Sequence, residues 1–161
     1  MPSFLYFYKK QLFMKIQDEI KSSFHNDYHK ARVNIHFTHN YLSEQLLEII
    51  KPLDLSLTQF NVLRILRGQY PAASSIGLLK ERMLDKNSDI SRVVDRMLAK
   101  KLVARKECKQ DRRQKDIQIT PLGLDALAKI DAQETALDQK MQHLTLEEVA
   151  QLNDLLDKIR D

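Results

Sequence analysis

The densest group of chemically active side chains lies between Arg105 and Thr120, in the stretch RKECKQDRRQKDIQIT. Nine of its first twelve residues are charged, and apolar and polar residues then alternate from Ile117 to Thr120. Arginine and lysine at this density suit phosphates and base edges of nucleic acid, whereas the alternation is typical of a β-strand. The stretch therefore predicts a charged loop between two strands. A solvated tip that only keeps the protein soluble is the alternative.

A second group of polar side chains precedes it, in SDISRVVDRMLAKK at residues 88–101. Apolar residues recur there at three- and four-residue steps, which predicts a helix with one buried side. Serine hydroxyls and arginine guanidinium groups on the other side could bind base edges or phosphates. The predicted DNA contacts on this helix are Ser88, Ser91, Arg92 and Arg96. For each of them, a solvent-facing residue that touches no DNA is an equal alternative.

The net charge of +4 is unevenly distributed along the chain. Residues 79–116 contain thirteen Lys and Arg against seven Asp and Glu, a net of +6, whereas residues 121–161 contain four against nine, a net of −5. This pattern indicates one surface for a polyanion and another for a different partner. Weaker candidates for phosphate contacts are Lys86, Lys100, Lys106, Lys109 and Lys115.

Proline, glycine and capping residues predict the elements that position these groups. One long helix is expected from about residue 15 to Lys51, because proline at position 52 disfavours helix in the residue before it. Shorter helices are expected at 57–67, 74–83 and 88–101, then two strands at 102–108 and 116–120. Thr120-Pro121 begins a helix that runs to about His143, and the capping box Thr145–Glu148 opens the last one.

This order predicts a mainly α fold with a small β-hairpin, a winged helix-turn-helix lobe with further helices at both ends. The helix-turn-helix is the pair 74–83 and 88–101, whose second helix would lie in the major groove. The predicted organisation is a dimerisation helix at 14–52, the DNA-binding lobe at 53–120 and C-terminal dimerisation helices at 121–161. Residues 1–13 are an extension for which two interpretations stay open: a start at Met14, or a short interfacial or dimer-packing segment.

The sequence resembles the MarR family of bacterial transcription regulators. The resemblance is carried by LSLTQFNVLRIL at 55–66, SDISRVVDRMLAKKLVAR at 88–105 and DRRQKDIQITPLG at 111–123, in this order and spacing. Together these stretches and their spacing cover roughly residues 28–160. Family members commonly have glycine where this chain has Lys101, which predicts a cost of about 1 kcal/mol if the backbone there is left-handed.

The resemblance implies a cytoplasmic homodimer that binds a pseudo-palindromic site on double-stranded DNA. Wing residue Arg113 would enter the minor groove, with Arg112 beside it and Asp111 holding its guanidinium group. It further implies a repressor released by a small aromatic or anionic effector, although a regulator without a ligand is the alternative. A winged helix that only binds proteins is a hypothesis from another class, but it would not need the +6 segment.

Other reactive residues favour neither a metal centre nor an enzyme. His25, His29, His36 and His39 fall in the first predicted helix beside its apolar stripe, and could bind a metal or sense pH. Polar residues at the edge of a dimer interface are the preferred interpretation. Cys108 is taken as an ordinary strand residue. No phosphate-binding glycine loop, catalytic carboxylate pair or membrane-length apolar run occurs, so we expect no enzymatic activity, cofactor or membrane partner.

Overall fold

The computed structural model describes residues 14–107 and 115–161. Its described residues up to Tyr41 form one compact unit and Leu42–Asp161 a second. The elements in chain order are the helices α1 (Ile16–Glu19), α2 (Asp27–Ile50), α3 (Leu57–Arg67), α4 (Ile76–Arg82) and α5 (Ile90–Ala99), the strands β1 (Val103–Glu107) and β2 (Lys115–Ile119), and the helices α6 (Pro121–Gln139) and α7 (Leu146–Lys158). The predicted fold class, mainly helical with a small hairpin, is confirmed.

The prediction of one continuous helix from residue 15 to Lys51 was wrong at its N-terminal part. Helix α1 ends after one turn, and Lys21 has a φ of 50°, a left-handed conformation that an α-helix cannot contain. The C-terminal end was predicted well, because α2 stops at Ile50 and a 3-10 turn containing Pro52 follows. The functional division into 14–52, 53–120 and 121–161 stays a prediction.

The core of the second unit lies between α3, α5, α6 and the hairpin. Each of these elements contributes side chains with almost no exposure, among them Leu63 and Leu66 of α3, Met97 of α5 and Leu127 of α6. Capping residues fix where the helices begin: Ser56 and Gln59 form a reciprocal capping box at α3, and Ser75 caps α4. The lobe is therefore a single apolar core with its polar faces outward.

The two strands form an antiparallel hairpin in which Val103 pairs with Ile119 and Glu107 with Lys115. On the other edge of β2, Ser74 exchanges two backbone hydrogen bonds of 2.8 Å with Ile117. That pairing attaches the start of the helix-turn-helix to the hairpin. This bridge between Ser74 and Ile117 could not be predicted from the sequence, because a single paired residue has no periodicity.

The turn between α5 and β1 packs tightly against the start of α6. Thr120 Oγ1 lies 2.8 Å from Lys101 O and 3.0 Å from Leu102 O, and it accepts the Gly123 N–H at 3.2 Å. A Cβ atom on Gly123 would lie 2.4 Å from Leu102 O. Lys101 itself has a φ of 59°, which confirms that this chain places lysine in a left-handed position.

The helices at the two ends leave large apolar side chains uncovered. In α2 only Ile50 is buried, and Tyr28 is 87% exposed. Within the described chain no residue of α7 is buried, and Leu155 and Ile159 are 60% and 66% exposed. Among the described residues no helix has the length and apolar character that crossing a bilayer requires.

Candidate nucleic-acid interface

Hydrogen bonds from three side chains fix the turn between α4 and α5. Asn61 of α3 accepts the backbone N–H of Leu84 at 3.0 Å. Asp85 accepts the Ser88 hydroxyl at 2.8 Å and the Asn87 N–H at 2.9 Å, and these bonds hold the pKa of the Asp85 carboxyl below its usual value. The connection between the two helices is therefore fixed by polar contacts as well as by the core.

Helix α5 presents one apolar and one polar side, as the sequence predicted. Ile90, Val94 and Met97 are buried in the core. The opposite side is exposed and carries Ser91, Arg92, Asp95 and Arg96. The predicted start of this helix was two residues early, since α5 begins at Ile90 after its N-cap Asp89.

Ser88 lies apart from the other predicted contacts on this helix. It stands in the turn before the N-cap, it is half-buried, and its hydroxyl donates to Asp85. A DNA contact by Ser88 stays a prediction, but the structure shows a role for the side chain in closing the turn.

Two acidic residues on the polar side of α5 hold arginines. Asp89 Oδ2 lies 3.2 Å from Nε of Arg92, and Asp95 Oδ1 lies 2.7 Å from Nη2 of Arg105 on β1. The second pair connects the helix to the hairpin. Among the described residues no carboxylate lies within ion-pair distance of Arg96. Arg92 and Arg96 were predicted contacts, whereas Arg105 was not. Neither ion pair was predicted, although Asp89 precedes Arg92 by one helical turn.

The hairpin carries basic residues towards a tip that lies outside the described residues. Arg105 and Lys106 are exposed on β1. The predicted wing-tip site, which consists of Arg113 with Arg112 and Asp111 beside it, falls outside the described residues, as do Cys108 and Lys109. Their roles stay predictions. What the structure provides is the two strands that end on either side of them.

Two further lysines named as weak phosphate contacts already have partners inside the lobe. Lys100 forms an ion pair of 2.8 Å with Asp54 Oδ2, across the start of α3. Lys86 donates to the carbonyl of Glu81 in α4. Lys86 is exposed, so its charge still adds to the basic surface, whereas Lys100 is half-buried in its pair.

The histidines do not assemble a metal centre in the described residues. Within the first unit, His25 and His29 stack with ring centroids 4.1 Å apart, and Phe24 meets His29 edge-on at 5.4 Å. His36 and His39 are exposed on α2. Across residues 14–107 and 115–161 no group of three or more His, Cys, Asp or Glu is arranged to hold a metal ion. His25 lies before α2, so the prediction that all four histidines fall in one helix was wrong.

Loss of solvent around its ring lowers the pKa of His29, and the nearby charges of His25 and Arg32 lower it further. The half-buried ring therefore favours its neutral form.

Comparison with known proteins finds one family model that matches part of the chain and several solved structures with a similar fold. The MarR family model matches residues 55–115, which span α3, α4, α5 and β1 and end at the first residue of β2. A cysteine-to-serine mutant of MarR from E. coli, complexed with operator DNA, has a similar structure with a TM-score of 0.75 and 28% identity, covering 86% of this chain and 99% of that chain. No curated protein sequence matches the chain.

Two further solved structures share the fold at lower sequence identity. A MarR-like transcription regulator from Bacillus cereus has a TM-score of 0.73 and 24% identity, covering 83% of this chain and 96% of that chain. The organohalide-sensing regulator RdhR in its 2,4-dichlorophenol-bound form has a TM-score of 0.75 and 21% identity, covering 88% and 83%. At these identities the likeness shows the fold alone.

Proposed function

We propose that the chain is a sequence-specific DNA-binding repressor that acts as a homodimer, on the premise that residues 55–115, which the MarR family model matches, belong to a MarR-family DNA-binding domain. The observation that carries the proposal is helix α5. Its apolar side is held in the core, and its polar side presents Ser91, Arg92 and Arg96 to solvent, next to a basic hairpin. MarR-family regulators are transcription factors, and nothing in the comparisons points to an enzyme.

In this proposal α5 lies in the major groove, and the hairpin follows the adjacent backbone. Residues in the first turns of a recognition helix reach base edges, while lysines and arginines around it neutralise phosphates. Arg113 at the wing tip would enter a narrow minor groove, with Asp111 and Arg112 beside it. Similar proteins support this docking, since the E. coli MarR structure contains operator DNA.

The homodimer is proposed from the uncovered apolar side chains of the end helices. Tyr28 and Tyr41 of α2, Leu155 of α7 and Ile159 directly after α7 are exposed. In contrast, every large apolar side chain on α5 lies at least partly in the core. Burial of apolar area is the main favourable term in association, so these faces favour a second copy of the chain. Two copies related by a two-fold axis would bind a pseudo-palindromic operator.

The proposal further includes a small aromatic or anionic effector that releases the repressor from DNA. The solved structure of RdhR contains 2,4-dichlorophenol, which supports looking for a ligand of this kind. An effector that binds one spacing of the two lobes better than the other would shift the population away from the DNA-binding form. A regulator without a ligand would show DNA binding that such compounds leave unchanged.

The winged helix as a protein-binding module is the competing function, and charge distinguishes the two. Residues 79–116 have a net charge of +6, whereas the C-terminal helices carry the acidic residues. A concentration of positive charge on the helix-turn-helix and hairpin favours a polyanion over a protein surface.

The decisive experiment measures binding to the upstream region of the protein's own gene at several salt concentrations. We expect specific binding at nanomolar concentration, with an affinity that falls as salt rises by a slope of about −0.9 for each neutralised phosphate. Arg96→Ala and Arg113→Ala should weaken binding. Lys129→Ala is the matched control, because that lysine is exposed on α6 and pairs with Asp125. Weak binding that neither arginine variant changes would contradict the proposed function.

A further inference from the structure

Asp89 contacts Arg92 through both oxygens of its carboxylate. Its Oδ1 accepts the backbone N–H of Arg92 at 3.3 Å and thereby caps α5. Its Oδ2 lies 3.2 Å from Nε of the same arginine. One side chain therefore fixes both the first turn of the recognition helix and the root of the Arg92 guanidinium group.

An acidic residue in this place needs a physical reason. The start of α5 is the part of the lobe proposed to enter the major groove, where a carboxylate is repelled by the DNA phosphates. Capping explains part of its presence, because a carboxylate is favourable at a helix N-terminus. Serine or asparagine would cap equally well without the charge, so capping alone does not account for aspartate.

The geometry of the ion pair accounts for the rest. The ion pair is made at Nε of Arg92, so the outer edge of the guanidinium group, formed by its two terminal nitrogens, is left for another acceptor. The Arg92 side chain is 81% exposed, so these nitrogens are presented to solvent. A bidentate donor of this shape matches the O6 and N7 acceptors of guanine, and no other base offers that pair in the major groove.

The two other described arginines of the interface, Arg96 and Arg105, have no acidic partner at Nε. Arg96 lies one turn further from the helix start, and no described carboxylate holds it. Arg105 is held through its terminal nitrogen Nη2, the atom that a bidentate contact would need. Without such a partner, Arg96 is expected to bind a phosphate. Arg105 already forms the ion pair that joins β1 to α5.

From these contacts we propose that Arg92 reads a guanine in each operator half-site and that Asp89 is its positioning residue. The inference rests on the proposed function and specifies one base of the target. Partial neutralisation by Asp89 also weakens the attraction of Arg92 to phosphates. The pair thus raises the ratio of specific to nonspecific binding, and its removal should lower that ratio.

The test replaces each operator guanine in turn by 7-deazaguanine, which pairs normally but lacks the N7 acceptor. For the wild-type protein we expect one position in each half-site at which the replacement weakens binding by about tenfold or more. Arg92→Ala removes every donor of this side chain, so it should bind both operators more weakly than the wild type does but with nearly equal affinity. A scan in which Arg92→Ala discriminates as well as the wild type overturns the guanine assignment.

Asp89→Asn tests the positioning role, because asparagine keeps the cap and removes the ion pair. We expect discrimination at that guanine to fall several-fold, while affinity for nonspecific DNA and the salt slope both rise. Asp125→Asn removes a charge on α6 and controls for net charge. Equal changes in the two aspartate variants would refute the positioning role. Thermal unfolding of each variant separates lost binding from lost folding, and a wild-type protein that binds no operator would refute the proposed function itself.

Discussion

Helices α5 and α7 are both amphipathic, but only α5 finds its apolar partner within the chain. Ile90, Val94 and Met97 of α5 lie in the core, whereas within the described chain α7 has no buried residue. The two helices have similar lengths and a side chain caps the N-terminus of each, so length and capping do not explain the difference. Burial decides it: α5 is stabilised by its own lobe, and α7 retains apolar surface for a partner.

The largest loss of stability is expected from Leu127→Ala, which truncates a core side chain of α6. Leu127 is completely buried in the core, so the substitution leaves a cavity and should lower the free energy of unfolding by about 3–5 kcal/mol. Urea unfolding measures the change. Leu146→Ala is the control, since that side chain is 91% exposed and its truncation should change stability little. Equal losses of unfolding free energy in the two variants would contradict the difference in burial between the core and α7.

A similar but smaller loss is expected from Gly123→Ala at the junction of the hairpin and α6. The new Cβ would lie 2.4 Å from Leu102 O and 2.8 Å from Ile119 Cγ1, and the backbone oxygen cannot move without distorting the turn. We expect a loss of about 3 kcal/mol in urea unfolding.

Gly77→Ala is the matched control for that substitution. Its new Cβ would lie 3.6 Å from the Ser75 hydroxyl oxygen, which is an ordinary van der Waals contact. Alanine in a helix is favoured over glycine, so Gly77→Ala should stabilise α4 by up to about 1 kcal/mol. A destabilised Gly77→Ala protein together with an unaffected Gly123→Ala protein would contradict the packing described at Leu102.

In the C-terminal helix the expected effect is on assembly. Leu155→Glu places a charge on an exposed apolar position, and it should raise the dimer dissociation constant at least tenfold, about 1.4 kcal/mol. Sedimentation velocity over a concentration series measures the change. Asn153→Glu adds the same charge about 200° around the same helix and should leave the dimer intact. A dimer unaffected by Leu155→Glu would remove α7 from the proposed interface.

A gain of stability is expected from Lys101→Gly in the turn after α5. Lysine at a φ of 59° carries a steric cost that glycine does not, so the substitution should raise the free energy of unfolding by about 1 kcal/mol. Lys100→Gly serves as the contrasting variant, since its backbone is helical and it pairs with Asp54, and it should lose stability. Thermal unfolding distinguishes the two directions.

The smallest effect concerns pH and the N-terminal unit. Because the pKa of His29 is lowered in the folded protein, the unfolded chain binds a proton first as pH falls. Stability should therefore be unaffected well above pH 6.5 and should decrease as pH falls below that value, until folded His29 is protonated as well. His29→Gln should weaken this dependence in urea unfolding at pH 7.5 and 5.5, and His39→Gln should not.

Local sequence rules predicted most elements of this fold because the signals are local in origin. Ser56, Thr120 and Thr145 cap helices through bonds within three residues, and alternation around Ile117 and Ile119 is a property of the strand itself. The break after α1 escaped prediction because no proline or glycine marks it, and Lys21 adopts its left-handed backbone without a local signature.

What the sequence alone determined is therefore the class of fold, the basic segment and the residue types on the exposed side of α5. The tertiary structure decided which of those side chains are already engaged. Ser88 donates to Asp85 in the turn before α5, Lys100 pairs with Asp54, and Asp95 of α5 pairs with Arg105 of β1. Except for the Ser88 turn, such pairs join residues distant in sequence or on different elements, and only packing sets the distance between their atoms. Periodicity shows which side of a helix is polar, but the folded core determines what that side meets.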